Sequence, residues 1–367
     1  MHQACNMNCF ENIYRQRRVL VTGHTGFKGS WLCRFLERLS AVVTGYSLPP
    51  LTTPNHFDQL DTSSVQSVIG DVRNSDMLRE VFTNTQPEIV FHLAAQPLVR
   101  LSYREPVDTF TSNFLGTLNV LEASRAASDL RAVVIITSDK VYENLESDVG
   151  YDESSRLAGF DPYSCSKACA DLLTSCYRQS FFSDPNGPLV ATARAGNIIG
   201  GGDWSADRLI PDAVRSASSG TPLIIRNPTS VRPWQHVLDP LTGYLQIGQQ
   251  LLQRNATSAR AWNFGPAEAS HVPVSEIINE FAHHWPDLRF EAQGEINAPH
   301  ETSLLKINSN LAERELAWQP IWDWKQAVET TAKWYRAFHQ EDSLETDADI
   351  DAYIQAAGKS KSTWVTA

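Results

Sequence analysis

The stretch VLVTGHTGFKGSW (residues 19–31) decides how this chain is read. Val19-Leu20-Val21 opens as a strand, Trp31, Leu32, Phe35, Leu36 and Leu39 repeat at helical spacing, and Gly23, Gly26 and Gly29 stand between the two. Each glycine has a physical reason: Gly23 permits a tight turn, Gly26 lets a pyrophosphate approach the main chain, and Gly29 lets the helix pack onto the strand. A glycine trio alone is weak evidence, because turns are glycine-rich. Its place between the first strand and first helix of a βαβ unit points to a dinucleotide, with Thr25, Phe27 and Lys28 as the other contacts in the turn.

Outward from this turn the chain alternates β-branched runs with helical patterns. Strands are expected at Val42-Val43, before Asp71, at Ile89 to Leu93, Ala132 to Ile136 and Leu189 to Arg194. Helices are expected at Met77 to Phe82, Phe114 to Ala127 and Ser164 to Phe182. Such alternation predicts the α/β class, a Rossmann-type doubly wound parallel sheet covered on both faces. From Gly200 the pattern loosens into short elements such as Pro222 to Arg226 and Val274 to His283, interrupted by a helical run over Val237 to Leu252. The expected organisation is an N-terminal extension (1–17), a dinucleotide-binding domain (18–199, rejoined by 231–265), a smaller C-terminal α/β substrate domain (200–230 and 266–345) and a peripheral tail (346–367).

The chain has 367 residues, 42% of them hydrophobic, and a net charge of −11. That length is enough for two domains, and the balance is globular. An acidic chain without a basic block is a poor ligand for nucleic acid or anionic lipid. No apolar run is long enough to span a membrane, and residues 1–18 lack the apolar core of a secretory signal. Six cysteines without a framework of spacings argue for a reducing, cytoplasmic setting. No metal site is expected, since Cys5 and Cys9 have no partner pair at ligand spacing. Cys165, Cys169 and Cys176 share a helical face, read as core packing.

At the second strand's end stands Gly45-Tyr46-Ser47-Leu48, without the usual acidic residue. Ser47 can hydrogen-bond a ribose, and no arginine follows to receive a 2′-phosphate, which favours NAD over NADP; Lys28 is the one nearby alternative charge. Asp71 and Val72 are placed to meet the adenine, with Asp71 accepting from its amino group. Leu93, Ala94 and Ala95 leave room for a flat cofactor. Asp76 fits better than Asp71 as a helix cap.

Tyr163 and Lys167 form a Tyr-xxx-Lys pair on one helical face. An ammonium beside a phenol favours phenolate, making Tyr163 a base for an alcohol while Lys167 holds the nicotinamide ribose. Thr137, Ser138, Asp139 and Lys140 follow the fifth strand, at the carboxyl edge where such sheets bind ligands. Thr137 lies against the cofactor, and Ser138 can bond the hydroxyl that Tyr163 deprotonates. Asp139 and Lys140 are an extra acid and base that simple hydride transfer does not need.

Together VTGHTGFKGSWL (21–32), HLAAQPLVRLSY (92–103), TSDKVYEN (137–144), DPYSCSK (161–167), RAGNIIGGGDW (194–204), DRLIPD (207–212) and RPWQHVLDPLTGYL (232–245) resemble the extended short-chain dehydrogenases/reductases, and within them the 4,6-dehydratases of CDP-glucose. The resemblance runs from about residue 18 to 325. It implies a redox-neutral elimination with NAD recycled in place. Tyr163 takes the C4 hydroxyl proton, Lys140 or a neighbour removes the C5 proton, and Asp139 protonates the departing C6 hydroxyl. Related dehydratases carry glutamate where Lys140 stands. For the sugar nucleotide it implies contacts from Gln96, Ser138, Asn197, Leu209, Ile210, Arg232 and His300, and a homodimer joined through a four-helix interface. A related dehydratase or 4-epimerase, or a non-catalytic NAD sensor, are the alternatives; Asp139-Lys140 argues against the epimerase, and the intact Ser138, Tyr163 and Lys167 against the sensor.

Overall fold

The computed structural model of the chain describes residues 8–293 and 302–366. At its centre are seven strands: Arg18–Thr22 (β1), Val42–Ser47 (β2), Gln66–Ile69 (β3), Ile89–His92 (β4), Ala132–Ile136 (β5), Leu189–Ala195 (β6) and Ala261–Phe264 (β7). All neighbours pair in parallel, in the order β7-β6-β5-β4-β1-β2-β3. The chain winds outward from β1 in one direction and from β4 in the other. The crevice at this reversal lies beyond the carboxyl ends of β1 and β4, where such sheets take ligands.

Strand alternation sorts side chains onto two faces. Val19, Val21, Ile89, Phe91, Ala132, Val134 and Ile136 enter one core; Leu20, Val90, Val133, Ile135 and Val190 enter the other. Phe27–Arg38 (α1) covers the first face, while Ser75–Thr85 (α2) and Gly116–Ala126 (α3) cover the second. Pro162–Ser180 (α4) carries Tyr163, Leu209–Ser219 (α5) follows the loosened segment, and Leu238–Leu252 (α6) lies against β5 and β6 on the α1 side. Asn74, not Asp76, caps α2, its side chain accepting from Met77 N at 3.1 Å.

Two short pairings carry the loosened half: Leu223–Ile225 with Phe290–Ala292, and Val231–Pro233 with His271–Pro273. The first core runs on without a break through Ile277, Phe281, Trp318, Val328 and Trp334, so the substrate-side elements and the sheet share one interior.

Both ends differ from the sequence expectation. Residues 8–17 are built in: Asn8–Cys9 pairs with Val365–Thr366, and Phe10 and Tyr14 are buried. The C-terminal segment is core rather than a peripheral tail. After Trp324–Arg336 (α7), the helix Thr346–Lys359 (α8) buries Ile350 and Tyr353, and the Tyr353 hydroxyl donates to Asp239 Oδ1 at 2.6 Å. Stacking of Phe10 on Trp364, with ring centroids 4.9 Å apart, ties one end to the other. Neither partner was legible because each buries its rings against the other, across the length of the chain. The cysteine face of α4 also points outward: Cys165 and Cys169 are half-buried and Cys176 is exposed.

Candidate active site

The glycine turn leaves β1 with Gly23 at φ +78°, a left-handed conformation that favours glycine. A Cβ there would meet Ala94 N at 2.7 Å, and a Cβ on Gly29 would meet the Gly23 carbonyl oxygen at 2.0 Å. The turn is therefore pressed against the end of β4 and against its own helix. Gly26 occupies the N-cap of α1 without a side-chain cap, and its own flank is exposed. The open N–H groups of the first turn suit an anion.

At the far end of this turn, Thr25 donates its hydroxyl to the Leu48 carbonyl at 2.9 Å. Its single proton is thereby used, so the 2.9 Å contact with Ser47 has Ser47 as donor, and the Ser47 lone pairs are left to accept. Asp71 is held by the Arg73 guanidinium, whose Nε lies 2.8 Å from Oδ2, and this bond keeps the carboxyl below its ordinary range. Val72 is packed in the core beside Gly116, so only its main chain is available to a cofactor. Leu93, Ala94 and Ala95 are half-buried along the crevice, and Phe27 is partly buried at its edge.

The catalytic candidates meet beyond β5. Ser138 Oγ donates to Asp139 Oδ1 at 3.0 Å and accepts from Lys140 N at 3.2 Å, and its hydroxyl is an electrostatic neighbour of the Tyr163 phenol. Asp161 caps α4 by accepting from Ser164 N at 2.9 Å, which fixes Tyr163 in the first turn. Asp139 is almost fully buried, and its Oδ2 has no hydrogen-bond partner among the described residues. Lys140 is half-buried beside it. Lys167 donates to the Ile136 carbonyl at 3.0 Å. Thr137 is committed elsewhere, its hydroxyl donating to Asp171 Oδ2 at 3.0 Å.

Tyr163 departs from the expected electrostatics. Burial pushes its phenol up to about 12, against the influence of the nearby Ser138 hydroxyl, which favours the ionised form. Lys167 is instead lowered to about 7, by burial first and the Lys28 charge second. The phenol is thus a neutral donor at rest, and the lysine is the group poised near neutrality.

Other expectations are redistributed. Gln96 spends its side chain internally, donating to Thr109 Oγ1 at 2.8 Å and to the Leu98 carbonyl at 3.1 Å while accepting from Leu98 N at 2.5 Å. Ile210 is buried in the core and cannot wall a ligand; Leu209, at the start of α5, is half-buried. Asn197 is half-buried, its carbonyl accepting from Gln235 N at 3.1 Å. Arg232 is buried, with Nη1 donating to the Val231 carbonyl at 2.9 Å. His300 lies outside the described residues. Lys28 does not reach the ribose end at Ser47. It extends the other way, with Nζ 5.9 Å from the Tyr244 ring centroid and with Arg208, Asp139 and Lys167 as its electrostatic neighbours.

Three groups escaped the sequence reading. Arg208, at the head of α5, pairs with Asp203 at 2.8 Å and acts electrostatically on Tyr163 and Lys28. Tyr244 of α6 is buried near Tyr163 and Asp139. Asp171 of α4 holds Arg194 of β6 in a buried bidentate pair, 2.7 and 2.8 Å. An arginine before a helix was a weak signal for the first; nothing local marked the other two.

A doubly wound sheet with a glycine turn, a Ser-Tyr-Lys set and an added acid defines an extended dehydrogenase-type fold fitted for elimination. The chain belongs to the family described as GDP-mannose 4,6 dehydratase, whose model matches residues 20–331. It is 45% identical over 334 residues to the CDP-glucose 4,6-dehydratase of Salmonella typhimurium, covering 89% of this chain and 93% of that one. In fold it resembles an epimerase from Methanothermobacter thermautotrophicus, with a TM-score of 0.78 at 24% identity over 90% of this chain and 96% of the other. A dTDP-glucose 4,6-dehydratase from Streptomyces venezuelae, solved with NAD bound, gives a TM-score of 0.73 at 23% identity over 87% of this chain and 96% of the other.

Proposed function

We propose that this chain is an NAD-dependent lyase that converts CDP-glucose to CDP-4-keto-6-deoxyglucose and water. The observation that carries it is the Asp139 carboxylate beside the Ser138–Tyr163 pair, its Oδ2 buried and unpartnered. An alcohol oxidation alone has no use for such a group, whereas loss of the C6 hydroxyl requires a proton donor. The nucleotide is argued from the 45% identity to the Salmonella enzyme over most of both chains.

The residues fit the cofactor. The open amides after Gly26 suit the pyrophosphate, the accepting Ser47 hydroxyl suits a ribose, and Gly23 shuts the space behind the turn. Bound NAD supplies the hydride acceptor at C4 and the donor at C6. Tyr163 takes the O4 proton, with Ser138 orienting that hydroxyl and Lys167 adding positive charge beside the developing phenolate. Once C4 is a ketone, the C5 proton is acidified and Lys140 or a neighbouring base removes it. Asp139 then delivers a proton to the departing O6, so water leaves and the electron pair forms the C5–C6 double bond. The base that took the C5 proton would return one to C5, so that with the cofactor's chemistry the sequence closes with no net oxidation. Arg208, half-buried at the head of α5, is the guanidinium proposed to meet the diphosphate.

A second copy is the proposed occupant of the outer face of α4 and its neighbours, where Leu172 is 54% and Val107 74% exposed. Exposed apolar groups clustered on helices that flank the site suit a homodimer. The free cysteines, including exposed Cys176, fit a reducing cytoplasmic setting. No described helix is long and apolar enough to cross a membrane.

A competition among CDP-, UDP-, dTDP- and GDP-glucose, each with catalytic NAD, tests the assignment. CDP-glucose should lose water fastest; preferential turnover of another base would move the chain to a different dehydratase, and a product of unchanged mass would make it an epimerase.

A further inference from the structure

The loop that leaves β6 carries Gly196, which is buried and lacks the left-handed backbone that Gly23, Gly202 and Gly220 adopt. Glycine at this position therefore answers a need for space rather than for backbone conformation. A Cβ on Gly196 would lie 2.9 Å from Asp139 Oδ2 and 2.5 Å from Pro233 Cγ, both closer than a methyl group tolerates. Segments far apart in sequence converge here: the turn after β5 with Asp139, the loop after β6 with Gly196, and the substrate-side strand Val231–Pro233. Pro233 is paired with His271 on that strand, and its ring is locked to the backbone, so it has little room to retreat. The Asp139 carboxylate is the movable partner, yet it is held as well. Its Oδ1 accepts from Ser138 Oγ at 3.0 Å, and the residue is almost fully buried. Oδ2, which has no hydrogen-bond partner among the described residues, lies beside the main chain of Gly196.

We propose that Gly196 is a positioning residue for the elimination step: its missing side chain is the space that lets the Asp139 carboxyl group sit where it does, beside the Ser138 hydroxyl. The proposal rests on the dehydratase reading for the acid role of Asp139. With alanine at 196 the crowding falls on Asp139 and Pro233 together. Turning the carboxyl group relieves the contact at Oδ2 but strains the bond from Ser138, and it moves the proton that Asp139 carries away from the departing hydroxyl. In that step the Asp139 proton goes to O6, the C6–O6 electron pair leaves with it as water, and the electron pair of the broken C5–H bond becomes the C5–C6 double bond. C4 oxidation draws on Tyr163 and Ser138 and needs no acid at O6, so a displaced Asp139 separates the two half-reactions.

The test compares the full-length wild type with Gly196→Ala, by single turnover of CDP-glucose at saturating NAD and by crystal structures of both proteins. In Gly196→Ala the reduced-nicotinamide band should rise at close to the wild-type rate and decay about tenfold or more slowly, since ångström-scale misplacement of a reacting group costs up to about a hundredfold. Added to Asp139→Asn, Gly196→Ala should slow the decay no further, because a residue that acts through Asp139 then has nothing to act on. The Asp139 carboxylate should be turned from its wild-type position in the Gly196→Ala crystal. Should the Pro233 contact impair folding, Gly196→Ala with Pro233→Ala removes that ring and keeps the contact with Asp139, and the slow decay should persist. Prompt decay in either folded variant overturns the proposal, as does slowing that multiplies with that of Asp139→Asn, a defect confined to KM, or an unmoved carboxylate. The carboxylate position is read without turnover, so its failure is separate from failure of the wild-type protein to dehydrate CDP-glucose.

Discussion

With its phenol held up at about 12 by burial, Tyr163 is protonated in the free protein, near the Ser138 hydroxyl. To accept the O4 proton it must first release its own proton to solvent, and stabilising the resulting phenolate is the work left to Lys167 and its neighbours. Tyr163→Phe should therefore lower C4 oxidation by about a hundredfold or more while fluorescence titration shows NAD binding retained. Full activity in that variant would take Tyr163 out of the chemistry. Asp139→Asn keeps the side-chain volume and removes the proton donor. Single-turnover absorbance at the reduced-nicotinamide band should rise and then decay slowly, showing oxidation without prompt elimination; normal decay would place the acid elsewhere. Both residues were legible in the sequence, because Tyr-xxx-Lys and Ser-Asp-Lys are local patterns. The direction of the Tyr163 shift was not. It depends on how deeply the phenol is buried, and burial is contributed by segments far along the chain.

At the scale of elements, α4 is held to the sheet by the Asp171–Arg194 pair, both side chains almost fully buried. Arg194→Ala leaves Asp171 as an uncompensated buried charge and should cost about 3–5 kcal/mol in urea unfolding. A loss below 1 kcal/mol would mean that apolar packing alone fixes the helix. Because Thr137 also donates to Asp171, the same variant should disturb the Ser138 loop and reduce kcat. The βα alternation, and with it the placing of the glycine turn and of α4, was readable from apolar spacing. Lys28 was not, because a residue in the first turn of a helix can project along the turn or across it, and only the packing of α6 decides. Ile210 was misread for a similar reason: at the start of a helix, the exposed and buried sides differ by one position.

For the whole molecule, a net charge of −11 sits around a site that must take a diphosphate and a dinucleotide. Lys28, Lys167 and Arg208 are cations that act on one another electrostatically near the site, so attraction is local while the chain as a whole stays acidic. The docking of residues 8–17 and of α8 into the sheet's own core makes the ends part of the stability of the site. The outer face of α4 is the place to test assembly: Leu172→Glu should shift light-scattering mass from dimer to monomer without unfolding the chain, and an unchanged mass would locate the interface elsewhere. Most direct for the central claim is the fate of one atom. With CDP-[4-²H]glucose and unlabelled NAD, mass spectrometry and NMR of the product should find the loss of one water and deuterium at C6, carried there within a single active site. A dehydrated product without that deuterium, or a labelled isomer that has lost no water, would contradict the account.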